Sequence, residues 1–112
     1  MEYRVRAKFV LNKLPAFYQV LVDGTVANQK PDGAEIVSSM RRAKITGSDT
    51  IEWFETCYCP SPLKHERETV YDEYLENIET DLVEERGEIE GDSFWSFLQN
   101  HSKTSIDTPW KP

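Results

Sequence analysis

Two thiols stand two residues apart in Cys57-Tyr58-Cys59, and His65 follows a few positions on. Soft thiolates with an imidazole suit zinc or another thiophilic metal ion. A closed structural site wants four donors. The chain has no further cysteine, so a fourth donor has to be His101, an acid such as Glu66, or water. The same corner allows thiol chemistry. A cysteine near the positive end of a helix has a lowered pKa, and a nearby imidazole can assist it. Cys59 stands two residues before Ser61, the expected cap of the next helix. No Gly-x-Ser-x-Gly elbow and no third triad member by spacing accompanies it. A disulfide is not expected: in a strand, residues i and i+2 have Cβ atoms about 7 Å apart, against roughly 3.5–4.5 Å in a disulfide.

The other chemistry-bearing groups read more plainly. Glu66, Glu68, Asp72, Glu73 and Glu76 form the solvated side of a helix, with nothing to drive their pKa values apart as acid–base catalysis requires. Asp32-Gly33 precedes an expected strand, not a helix, so it lacks the context of a phosphate-binding loop. Arg4, Arg6 and Lys8 line one side of the first strand. Together with Arg41, Trp53 and Tyr58 they make the candidate face for a small anionic ligand or a protein partner.

These residues are positioned by a recognisable run of elements. Residues 3–10 alternate, with Tyr3, Val5, Ala7 and Phe9 on one face, so a strand is expected there. Asn12 offers a cap and Pro15 a first turn for a helix over 15–28, carrying Phe17, Val20, Leu21 and Gly24. Lys30-Pro31-Asp32-Gly33 signals a turn. Residues 35–46 read as a second strand and the aromatic-rich 50–58 as a third. A helix over 63–77 follows, with Val70, Tyr71, Tyr74, Leu75 and Ile78 as its apolar stripe. A fourth strand is expected over 81–90, then a short helix over 93–101 capped by Asp92, and a polar tail over 102–112.

The order β-α-β-β-α-β is that of the ferredoxin-like α+β motif. Two helices then cover one face of a four-stranded antiparallel sheet ordered 4-1-3-2. The first strand suits the open face with Arg4, Arg6 and Lys8, and the fourth with Glu84 and Glu88, so the two strands neutralise each other. The third does not. Ile51, Trp53 and Cys57 share one side, while Phe54 and Tyr58 share the other. Something must cover the second side. The covers on offer are the terminal helix (Phe94, Trp95, Phe97, Leu98), Trp110, a ligand or a second copy of the chain. A twofold dimer is the preferred expectation.

Composition bounds the rest. The chain has 112 residues, enough for one domain over 1–101 plus the tail. Its net charge is -7, which disfavours nucleic acid. Residues 1–44 carry eight basic and four acidic side chains, and residues 45–112 five basic and sixteen acidic. No apolar run approaches the roughly 20 residues of a membrane helix. The alternating start, Met1 to Arg6, is no signal peptide, so a soluble cytoplasmic protein is expected. The leading functional expectation is a binding or assembly module without catalysis or cofactor. The alternative is a small thiol- or metal-dependent enzyme, with zinc at Cys57, Cys59 and His65.

Overall fold

The computed structural model describes residues 1–106, with side chains described to residue 102. Strand β1 (Glu2–Phe9) follows its alternation: Tyr3, Val5, Ala7 and Phe9 are buried, while Arg6 and Lys8 are exposed. A 3-10 turn, Leu11–Lys13, leads into helix α1 (Leu14–Val22), with Pro15 in its first turn. Asn12 lies within the turn, and no side chain caps either start. Helix α1 stops well short of residue 28. Gly24 takes a φ of +92°, a left-handed conformation open to glycine and incompatible with a continuing helix.

The largest correction falls on residues 35–46. Helix α2 (Gly33–Arg42) takes most of them, and strand β2 keeps only Lys44–Ile45. Gly33, Ile36, Met40 and Ala43 are buried. Their steps of three and four are a helical period, not the period of two that a strand needs. Gly33 also permits a close approach: a Cβ there would meet the Val26 carbonyl oxygen at 2.0 Å.

Strand β3 (Thr50–Thr56) forms where expected. Helix α3, residues 64–74, has α-helical turns Lys64–Glu66 and Asp72–Tyr74 around a π-helical stretch, Arg67–Tyr71. Strand β4 (Leu75–Val83) follows at once, earlier than the expected 81–90. Leu75 and Ile78, read as helical stripe, therefore belong to the strand. The β1–β4 register slips between Arg6 and Lys8, and Asn77 nearby has a φ of +52°, the marks of a β-bulge. Strand β5 (Asp92–Ser93) precedes helix α4 (Phe94–Ile106). Its start is held by Ser93, not Asp92: the Ser96 N–H donates to Ser93 Oγ at 3.1 Å.

The protein is thus α+β, with four helices and an open antiparallel sheet of five strands, ordered β4-β1-β3-β2-β5. The fifth strand was not expected. It pairs with β2 on the edge opposite β4. Tyr3, Val5, Ala7, Phe9, Ile51 and Trp53 face a single core shared with all four helices. Phe17 stacks on Tyr74 at 4.7 Å, and Phe9 meets Phe94 at 5.7 Å. Helix α4 packs on α1 and α2 in this layer, so it does not cover the open face. Among the described residues, no helix is long and apolar enough to cross a membrane.

Topology also sets the length of the segment between the two edge strands. Strands β4 and β5 are at opposite edges, about 19 Å apart at the usual strand spacing. Residues 84–91 join them and reach at most roughly 29 Å. This strap passes the start of β1, the end of β3 and helix α2, where Arg86 meets Glu2, Thr56 and Glu35. Arg86 marks its path, donating to Glu2 Oε1 at 2.7 Å and to Thr56 Oγ1 at 2.9 Å. Phe54 is left 8% exposed, sharing a hollow with residues 86–91 and lying under the Arg4 guanidinium. Of the two residues that set an apolar group on the second side, Phe54 is buried within the single chain, whereas Tyr58 is 87% exposed. Trp110, a further cover that the sequence offers, lies outside the described residues. Glu84 and Glu88 fall in or beside the strap, and the acids facing β1 are instead Glu76, Glu79 and Asp81.

Candidate functional site

The cationic face comes out largely self-paired. Arg4 holds Glu52 at 2.8 Å, and Arg6 holds Glu79 at 2.7 Å. Lys8 stands opposite Glu76 in the register. Arg41 lies on α2, away from these residues, with its guanidinium 4.5 Å from the Trp95 ring centre. Trp53 is on the core face and only 1% exposed. The hollow under the strap is the larger concavity, about 520 Å³, and contains Arg42, Lys44 and Arg86. Two of these cations are already spent: Arg42 binds Glu35 and the Phe54 carbonyl, and Arg86 binds Glu2 and Glu35.

The end of β3 is different. Its alternation carries Trp53, Glu55 and Cys57 to the core side, against α3. Glu55 is fully buried. Its Oε1 accepts from Trp53 Nε1 at 2.7 Å and from the Tyr71 hydroxyl at 2.6 Å, while its Oε2 is buried without a partner. Burial pushes this carboxyl up to about 8 against those two hydrogen bonds, since a lone charge in the core is costly. Burial and the nearby Glu55 charge push the Tyr71 hydroxyl up as well.

Past the strand end, the chain turns through Cys57–Cys59 towards α3. Leu63, with a φ of +56°, precedes the helix, and the Lys64 N–H bonds the Ser61 carbonyl. Ser61 thus contributes its backbone; no side chain caps this helix. The first turn delivers Glu66, 1% exposed, under the two thiols. The Cys57 thiol donates to Glu66 Oε1 at 3.6 Å and the Cys59 thiol to the same oxygen at 3.4 Å. Both cysteines are free. Burial pushes the Cys57 thiol up to about 12, so it is a poor nucleophile at neutral pH. These two sulfurs and the Glu66 carboxylate lie within 4.8 Å of one another, the cluster of metal-capable groups found among the described residues.

His65 points elsewhere. Its Nδ1 meets Asp32 Oδ2 at 2.9 Å and Oδ1 at 3.1 Å. Asp32 in turn lines the same cavity as the thiols. That cavity holds about 350 Å³ between Pro31, Asp32, Glu35, Thr56, Tyr58 and the Cys57–Cys59–Glu66 cluster. Tyr58 stands at its wall, 87% exposed. Two participants escaped the sequence reading. Glu55 could have been found, because the period-two alternation of 51, 53, 55 and 57 sets an acid on the apolar side. Asp32 could not, because its link to His65 spans 33 positions.

No protein-family model matches the chain, and neither a curated protein nor a solved structure does. The functional reading rests on the site itself.

Proposed function

We propose that the protein is a small binding module of ferredoxin-like type without catalytic activity of its own, and that its binding element is the cavity at the end of β3. The fold part is supported by the strand order β4-β1-β3-β2. Helices α1 and α2 lie between β1 and β2 in the chain and α3 between β3 and β4, with β5 and α4 as an extension. The single observation that carries the function is the contrast between the two faces. The open sheet face spends its charges on itself, whereas the β3-end cavity combines apolar walls with convergent polar groups. That combination is the ordinary makeup of a ligand site.

The absence of catalysis is argued from the thiols. A nucleophilic cysteine needs a base within hydrogen-bond reach. The base in reach of both sulfurs is Glu66, itself 1% exposed beside the buried Cys57, and the imidazole bonds Asp32, so no thiol–imidazole pair forms. Amide-resolved NMR with a small aromatic and heterocyclic fragment set tests the reading. Shifts should gather on Asp32, Glu35, Thr56–Cys59 and Glu66. Shifts gathered instead on Arg4, Arg6 and Lys8 contradict it.

A further inference from the structure

We propose that Cys57, Cys59 and Glu66 form a site for one thiophilic divalent cation of the zinc type, with its fourth position open to the cavity. This deepens the cavity reading above and rests on it.

The distances fit an ion. Zinc binds sulfur at about 2.3 Å and carboxylate oxygen at about 2.0 Å, so the sulfur–oxygen edge of a tetrahedron is about 3.5 Å. The two sulfur–oxygen separations are 3.6 and 3.4 Å, both to the same Glu66 oxygen. Two edges of the triangle thus match, and the sulfurs lie within 4.8 Å of each other, against about 3.8 Å across a zinc tetrahedron. Cys57 and Cys59 come from the turn that follows β3 and Glu66 from the first turn of α3; Cys57 and Glu66 are buried.

The surroundings favour an ion over a plain hydrogen-bonded cluster. Glu66 is 1% exposed, and its partners are two thiols, which are weak donors. No Lys, Arg or His pairs with it among the described residues. Buried carboxylates are ordinarily paired with a cation or a metal. The donor set selects the class: two soft sulfurs exclude magnesium and calcium, and suit zinc and its congeners. On binding, both thiols lose their protons to solvent and the ion takes their place. Two protons leave and two positive charges arrive, so the buried charge is unchanged.

His65 is not a ligand in this arrangement. It holds Asp32 at the cavity wall, and the fourth coordination position faces the space lined by Asp32 and Tyr58. Three protein donors with an open position resemble an exchangeable ion site more than a closed structural one.

The test uses the reduced, metal-free, full-length protein titrated with cobalt(II) chloride and then with zinc chloride. A thiolate-to-cobalt charge-transfer band should saturate at one equivalent, and zinc should abolish it. Glu66→Gln and Cys59→Ser should each weaken cobalt binding by about tenfold or more, while His65→Ala should keep the band. Cys59 is only half-buried, so its serine variant serves if Glu66→Gln does not fold. Absence of the band in the wild type overturns the ion, as does a band kept by Cys59→Ser and lost in His65→Ala. Fragment shifts report the cavity and the band reports the thiolates. A missing band with cavity shifts intact overturns the ion alone, and a missing band with no cavity shifts overturns both readings.

Discussion

Trp53 and Tyr71 donate to one and the same oxygen, Glu55 Oε1, at 2.7 and 2.6 Å. The two rings, 5.3 Å apart, come from β3 and α3. The shared acceptor therefore ties the sheet to the helix layer directly beneath the thiol cluster. The arrangement places an acid in the core at the cost of leaving its other oxygen without a partner.

That acid makes stability depend on pH in a stated direction. Glu55 has an ordinary value of 4.5 and a folded value of about 8. The folded state holds this proton over a range where the unfolded chain has lost it. Its contribution is therefore full below about pH 4.5 and declines as pH rises to about 8, by up to roughly 1.4 kcal/mol per unit. Urea melts of the wild type and Glu55→Gln between pH 5 and 8 read this. The wild type should lose stability relative to the variant as pH rises. Parallel curves would show that Glu55 does not titrate in that window.

Phe54 should behave as a core residue although it faces away from the core. It is 8% exposed, lies under the Arg4 guanidinium and lines a hollow together with residues 86–91. Phe54→Ala should cost about 3 kcal/mol in denaturant unfolding, the usual penalty for a buried ring. A cost near that of a surface change, under about 0.5 kcal/mol, would mean that Phe54 is not part of the packed interior.

Gly91 ends the strap under tight constraint. Its φ is +149°, and a Cβ there would lie 2.2 Å from the Ile45 carbonyl oxygen. Gly91→Ala should destabilise the protein by about 1–3 kcal/mol. The amides of Lys44, Ile45 and Ser93 should lose hydrogen-exchange protection more than those of β1. Uniform loss across the sheet would show that β5 is not a separate, edge-held piece.

Much of the sheet is legible in the sequence. The alternation of Tyr3, Val5, Ala7 and Phe9 fixes the buried side of β1, and the split of Trp53 from Phe54 is real. What was misread has a local cause in each case. Two consecutive serines in Ile36-Val37-Ser38-Ser39-Met40 blur the contrast between faces, so the helical steps from Gly33 to Ala43 pass for a weak strand. The stripe through Tyr74, Leu75 and Ile78 fits a helix by spacing, and only the tertiary pairing of β4 with β1 ends the helix at Tyr74. The strap is a consequence of strand order, which local pattern does not contain. At the site, the Cys57–Cys59 pair is a sequence feature, while the choice of Glu66 over His65 beside it is set by the direction of one helical turn.

X-ray absorption at the zinc edge of the zinc-loaded, full-length protein probes the site most directly. Ligation by Cys57, Cys59 and Glu66 predicts a first shell of two sulfurs at about 2.3 Å and two lighter donors, one of them Glu66, at about 2.0 Å. A shell of oxygen and nitrogen alone, with no sulfur, would contradict it.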